Sequence, residues 1–311
     1  MYFPLMDLTY DTYDFTPHLG WSASRYETFD KCKRMYYYTY YGRHATHVPP
    51  YKVRMLKDMT SVPLEIGNIV HDVMEAFLRR LQKDDTNIDE QRFFEYARTQ
   101  TRHYFSRKTF REIYYRQAPS LDMDAVDSRV QTCLDNFIGS PVYHWLFMKA
   151  IRNRENWLIE PGGYGETRLD GMKAYCKMDF LFPVDKHIYI LDWKTGRKDA
   201  YKHSGQLVGY AAAASASFHI PAHLIFPKIV YLYPAFEELE VSITEQDLKD
   251  FLTRVRHQTE DMLSYCEDRD SNVPKEIDSF PLSPSEPLCR NCNFQELCFP
   301  EGLDTAKARF G

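Results

Sequence analysis

Two sets of side chains in this 311-residue sequence have types and spacings that suit chemistry. The first centres on Ile188-Tyr-Ile-Leu-Asp192-Trp-Lys194-Thr-Gly196. Side chains alternate along a strand, so Asp192 and Lys194 leave one face together, a carboxylate beside an ammonium. The strand is otherwise apolar on both faces. A charged pair there is costly unless it meets a metal, a partner or solvent at the edge of the sheet. Asp179 ends the polar-facing set Lys173, Tyr175 and Lys177 of the preceding run. It converges with Asp192 only if an even number of loop residues separates the two strands, and convergence is the expectation. Two such carboxylates suit a hard divalent cation, which takes oxygen ligands and keeps several waters. The ion would acidify bound water and neutralise charge building on a phosphate, with Lys194 orienting the water or stabilising the transition state. A structural Asp–Lys pair would give the same short motif.

Three further features bear on this set. His71, in Gly67-Asn-Ile-Val-His71-Asp-Val-Met-Glu75, falls at the margin of an apolar helical stripe beside Leu78. There it either reaches into a cleft or serves as a plain boundary residue. Gln206 and Tyr210 stand four apart, hence on one face of the helix after the Asp192 strand, as site residues or as ordinary packing. Glu166, one hairpin upstream, is either a further site acid or a solvated one.

The second set is Cys289-x2-Cys292-x5-Cys298, three thiolates in one short loop. That is one ligand short of a tetrahedral zinc site or an iron–sulfur cubane. The total of seven cysteines is odd, which argues against a disulfide framework in a chain that reads as cytosolic. Cys133, Cys176 and Cys266 read as buried hydrophobes.

The elements that must hold these residues follow from periodicity. Residues 22–41 read as one helix opened by Ser22 or Ser24, with Cys32 inside it or just past it. Ile66, Ile69, Val70, Val73, Met74, Phe77, Leu78 and Leu81 mark one buried stripe of a helix over 65–83. Helical stretches follow at about 89–117 and 123–150. Strands then read near 154–160, over Glu166–Leu169, across an Asp170-Gly171 turn into Met172–Phe182, and over Ile188–Lys194 beyond a connector from Pro183 to His187. A helix near 203–217 and strands near 227–233 and 238–243 imply a crossover and at least one parallel pair. Thr244 is placed to cap a last long helix, and 267–288 reads as a Pro- and Ser-rich connector.

In this order, Gly67-x-x-x-His71, Asp179, Asp192-Trp-Lys194-Thr-Gly196 and Gln206-x-x-x-Tyr210 resemble the RecB-type branch of the PD-(D/E)XK nucleases. The opening Ser22-x-Ser24-x-x-x-x-Phe29-x-x-Cys32 is similar to that branch as well. The resemblance implies an α/β, restriction-endonuclease-like core, a mixed central sheet flanked by helices, with a helical insertion and a C-terminal Fe–S loop. It implies His71, Asp179, Asp192, Lys194, Gln206 and Tyr210 as catalytic residues. One or two Mg2+ or Mn2+ ions would sit on His71, Asp179 and Asp192, with Glu166 as a further metal acid. In the iron–sulfur subset, including AddB-type and CRISPR-associated members, one N-terminal and three C-terminal cysteines hold a [4Fe–4S] cluster, which implies Cys32, Cys289, Cys292 and Cys298. Zinc is the alternative. Lys33 departs from the family, which usually has proline after that cysteine.

The segments expected are 1–64 with the first cluster cysteine, a helical 65–160 carrying His71, a nuclease core over 161–266 and a cysteine loop over 267–311. The implied substrate is DNA with single-stranded ends, reached alone or with a helicase or CRISPR-adaptation partner. A net charge of −5 does not oppose this, because carboxylates belong at a metal centre and basic groups only along the strand path. From Arg25 to Lys57 the chain is locally +6, a DNA-contacting surface or simply a solvated basic face; Tyr36, Tyr37, Tyr38, Tyr40 and Tyr41 within it could stack bases, although half or more of them must pack inward because a helix exposes only one side. No apolar run approaches membrane-spanning length, and the first twenty residues lack the pattern of a signal peptide, so a cytoplasmic protein is expected. Two other readings stand beside the nuclease: a DNA-binding scaffold subunit with a vestigial site, and a metal–sulfur protein acting on another phosphate substrate.

Overall fold

A computed structural model describes residues 8, 11–84, 89–160 and 165–305. The chain folds into two compact units that interleave along the sequence. One takes Met1–Asp14, Val62–Arg107 and Leu121–Arg254; the other takes Phe15–Ser61, Lys108–Ser120 and Val255–Gly311. Each unit draws on more than one of the four segments expected above. Parts of the first, second, third and last of them also lie outside the described residues.

The first unit is built on a five-stranded sheet. Its strands are β1 (Leu158–Ile159), β4 (Phe180–Val184), β5 (His187–Lys194), β6 (Ile225–Tyr231) and β7 (Glu237–Glu240), in the order β1-β4-β5-β6-β7. A separate hairpin, β2 (Glu166–Leu169) with β3 (Met172–Tyr175), lies between β1 and β4 in sequence. Its turn is Asp170-Gly171 with φ of +50° and +77°, the left-handed pair that a two-residue hairpin requires. The apolar run expected from Met172 to Phe182 is thus broken at residues 176–179, and only its second half joins the central sheet. β5 and β6 run parallel, joined by the helix Ala200–Phe218, while the other pairings are antiparallel. This is a mixed central sheet flanked by helices, a restriction-endonuclease-like fold.

The helix Val62–Lys83 buries all eight residues of the predicted stripe. They pack with Leu134 and Phe137 of the helix Met123–Ile138 and with Phe180, Phe182, Leu191 and Trp193 of the sheet. Burying a side chain of this size is worth about 1.5–3 kcal/mol, so this contact fixes the helix that carries His71. The helix Ala200–Phe218 buries Ala211–Ala214, small residues that let its backbone approach its neighbours closely. Thr244 and Asp247 form a reciprocal cap at the start of the helix Glu245–Leu263, each side chain bonding the other's backbone N–H.

In the second unit the expected single helix over 22–41 is two, Ala23–Lys31 and Lys33–Tyr41, broken at Cys32, whose backbone is extended. Ser22 caps the first helix, as read. Lys33 opens the second helix. Its Nζ bonds Phe29 O at 2.7 Å, satisfying a carbonyl left open at the helix end. The 267–288 connector is tied down: β8 (Cys266–Asp268) pairs with β9 (Val273–Pro274), and Phe280 is fully buried against Tyr37, Tyr41 and Tyr265. Among the described residues no helix is long and apolar enough to cross a membrane.

Candidate functional site

β5 delivers Asp192 and Lys194 to one end of the central sheet. The β4–β5 loop is only Asp185-Lys186, an even number, and continuing the register past Phe180↔Leu191 sets Asp179 against Asp192. The expected convergence of the two acids holds. Asp179 Oδ2 accepts the Trp193 backbone N–H at 2.9 Å. Lys194 Nζ stands 2.6 Å from Asp192 Oδ2, while Asp192 Oδ1 accepts Gln206 Nε2 at 3.3 Å and the Tyr210 hydroxyl. The Gln–Tyr pair, weak as a motif, thus lands on the acid at the centre of the site.

His71 reaches in from its helix. Its Nε2 is 3.0 Å from Trp193 O, and because a carbonyl only accepts, Nε2 carries the proton. Nδ1 then points at Asp179 Oδ1, 3.3 Å away, and Glu160 Oε1, 3.8 Å away. The acid beside this histidine is Glu160, and the structure does not bring Glu166 there. Glu166 sits in the β2–β3 hairpin, where its carboxylate pairs with Arg168 at 2.7 Å and approaches Lys173. Glu160 was not singled out by the sequence, and its place comes from strand pairing. It follows β1, whose antiparallel register with β4 places it opposite Asp179, and its N–H bonds Asp179 O at 2.8 Å. Its φ of +41° is strained for a non-glycine, as residues held for a function often are.

The donor set suits a hard cation. Ligand atoms of His71, Glu160 and Asp179 lie within 4.8 Å of one another. Asp192 Oδ2 is buried and, despite the nearby Lys194 ammonium, receives no aligned hydrogen bond. Electrostatics agree. Burial disfavours the His71 imidazolium, but Asp179, Glu160 and Asp192 outweigh it and raise the imidazole pKa to about 10. Burial also disfavours the Asp179 carboxylate, yet His71, the Trp193 N–H and Lys194 hold it below the ordinary carboxylate range. At Asp192, burial and the Asp179 charge prevail over Lys194 and Tyr210, lifting it to about 6. A cation bound at Nδ1 takes the place of the imidazole proton and relieves the crowding of acids.

Glu160→Gln should therefore weaken Mn2+ binding by about 10- to 100-fold, the usual cost of disturbing a metal's ligand shell. Glu166→Gln should leave it unchanged. Calorimetric titration of both variants decides between the two acids, and a loss confined to the Glu166 variant would restore the sequence assignment.

The helical insertion, which matched no motif, also serves the site. Arg129 on the helix Met123–Ile138 donates to Thr195 O at 2.8 Å and stacks on Tyr233, holding the backbone just after Lys194. Asn136 on the same helix bonds Leu232 O at 3.0 Å.

In the second unit Cys32, Cys289, Cys292 and Cys298 line one cavity, with Met35, Phe294 and Phe299 among its walls. Burial pushes the Cys292 and Cys298 thiols up to about 12, so without a metal both stay protonated. The Phe294 N–H points at Cys292 Sγ, 3.4 Å away. Cys133, Cys176 and Cys266 are buried.

Most of the tyrosine run packs inward. Tyr36, Tyr37, Tyr38 and Tyr41 are buried, packed on Phe29, Phe280 and Phe294, and are not free to stack bases. Arg25, in the same basic segment, is buried too and donates to Tyr36, Tyr41 and Gly20 O.

Comparison with known proteins gives one match by family: the model described as PD-(D/E)XK nuclease superfamily covers residues 20–299. No curated protein matches the chain.

Proposed function

The chain belongs to the PD-(D/E)XK nuclease superfamily, and from that premise we propose that it hydrolyses DNA phosphodiester bonds with Mg2+ or Mn2+, favouring single strands or single-stranded ends. The observation that carries this reading is the meeting of His71, Glu160 and Asp179 within 4.8 Å, beside the buried Asp192 and its partner Lys194. His71, Glu160, Asp179 and Asp192 would hold the cation, which when bound supplies an acidified water and neutralises phosphate charge. Lys194, anchored by Asp192, offers its ammonium to the attacking water or to the phosphate oxygens. Gln206 and Tyr210 fix the Asp192 rotamer, and Arg129 fixes the backbone after Lys194. The four cysteines would hold a [4Fe–4S] cluster, a reading supported by their number and by the cavity they line together. A helicase or CRISPR-adaptation partner would deliver the strand ends in recombination, repair, phage replication or spacer acquisition.

The test is cleavage of end-labelled single- and double-stranded DNA by protein purified without oxygen. Products are expected with Mg2+ or Mn2+, none with EDTA, and faster loss of the single strand, the ladder giving polarity. If the protein binds DNA but cuts neither substrate with either metal, the catalytic reading falls and a binding subunit with a vestigial site replaces it.

A further inference from the structure

His203 and Tyr231, which no motif singled out, meet beside Lys194. Strand pairing sets Tyr231 level with Lys194 on the neighbouring strand. On the helix Ala200–Phe218, His203 precedes Gln206 by three residues and Tyr210 by seven, so the three side chains share the face that reaches Asp192. His203 is only 8% exposed. Its Nδ1 lies 2.6 Å from the Tyr231 hydroxyl, and the nearby Asp199 backbone N–H acts on the same oxygen. The hydroxyl proton needs an acceptor, and Nδ1 is the one within reach. Nδ1 is then an acceptor and the ring proton sits on Nε2. Burial, helped by the Lys194 charge, keeps the imidazole below its ordinary pKa, so this neutral form is the working one. Among the described residues Nε2–H has no hydrogen-bond partner in the chain.

A buried, tautomer-fixed donor beside an ammonium is a place for an anionic oxygen. Resting on the nuclease reading above, the geometry points to His203 as a phosphate-binding residue: its Nε2–H donates to a non-bridging oxygen of the substrate phosphodiester, and Tyr231 positions it. The metal ligands are not involved.

The test uses the full chain in Mn2+ and oligonucleotides carrying either phosphorothioate diastereomer at the cut position. Sulfur accepts a hydrogen bond poorly, whereas Mn2+ tolerates it as a ligand. Wild type should cut one diastereomer more slowly. His203→Ala should cut all-oxygen DNA about tenfold more slowly, as expected for a lost bond to a charged group, and the ratio between diastereomers should fall by a similar factor. His203→Gln, which offers an N–H, should recover part of the loss. Tyr231→Phe should lose part of the rate in the parent but nothing further in His203→Ala, as for a residue acting through its neighbour. An unchanged diastereomer ratio in both His203 variants, or fully additive losses with Tyr231→Phe, would overturn the inference. If His203→Ala does not fold, His203→Phe, which fills the space without an N–H, gives the same readout. Failure of wild type to cut all-oxygen DNA would instead remove the nuclease reading itself, and this inference with it.

Discussion

Asp192→Asn should abolish metal-dependent cleavage, by at least about 10³-fold, while leaving the metal-free protein as stable as wild type or more so. The rate loss follows from what meets at this carboxylate. Its Oδ2 holds Lys194 at 2.6 Å and lacks an aligned hydrogen bond, and its Oδ1 takes Gln206 and Tyr210. Removing one member of a unit that acts together costs about as much as removing the unit, which is typically several orders of magnitude. The stability result has a separate cause. Asp192 is 2% exposed and faces a second buried acid, so its carboxyl is lifted to about 6 in the fold. A carboxyl raised on folding costs nothing below its unfolded pKa, near 3.9, and destabilises the fold increasingly as pH rises from there through about 6. Asparagine keeps an acceptor for Gln206 and Tyr210 and removes the charge. Melting in EDTA from pH 4 to 8 should therefore show a smaller decline with rising pH for the variant than for wild type. Cleavage within tenfold of wild type would remove Asp192 from the site, and a marked drop in metal-free stability would make it a structural residue.

The positions legible in the sequence were those whose chemistry is tied to spacing. Asp192 and Lys194 share a face because strands alternate, and Gln206 and Tyr210 share one because helices turn every 3.6 residues. Convergence with Asp179 depended on loop parity, and here the sequence misleads. A proline at 183 suggests a break, yet β4 runs through it to Val184. β1 pairs only with Phe180 and Leu181, so Pro183 lies on a stretch of edge strand, where a missing N–H is tolerated. Glu160 was hidden for the opposite reason. It belongs to no periodic run, and its place depends on a two-residue strand found only through its partner. His203 lay in plain view, but the partner that fixes its tautomer sits on a strand one crossover away.

The aromatic segment shows a different limit. A run of tyrosines on a basic helix reads equally as a binding platform or as a core. Only tertiary context, here Phe280 arriving from the far end of the chain, settles it. The same long-range closure explains why the 267–288 segment looked like a connector: its low apolar content hides one fully buried phenylalanine.

Cys32→Ser should cost the protein as much as Cys292→Ser or Cys298→Ser, despite its distance in sequence. Each variant should lose the chromophore and its complement of about four irons, with the melting temperature lowered by on the order of 10 °C or more. The break between the helices Ala23–Lys31 and Lys33–Tyr41 places Cys32 on the cavity lined by the three late cysteines. Thiols pushed up to about 12 do not ionise unaided, so the energy of binding metal is spent on deprotonating them and on closing a very long loop. The protein frames that closure in advance. Arg111 bonds Asn291 O at 2.7 Å, Tyr115 bonds Asn293 O at 2.7 Å, and Gln117 bonds Arg290 O at 2.7 Å, all gripping the cysteine loop. Arg34 and Arg111 lie near enough to favour thiolate at Cys298 and Cys292, as an anionic cluster would require. Cys133→Ala, a change at a buried cysteine of the other unit, is the control and should keep its iron. Iron and zinc are measured together by elemental analysis of anaerobic protein. One zinc and no iron would replace the cluster with a mononuclear site, and full iron in Cys32→Ser would remove the N-terminal ligand.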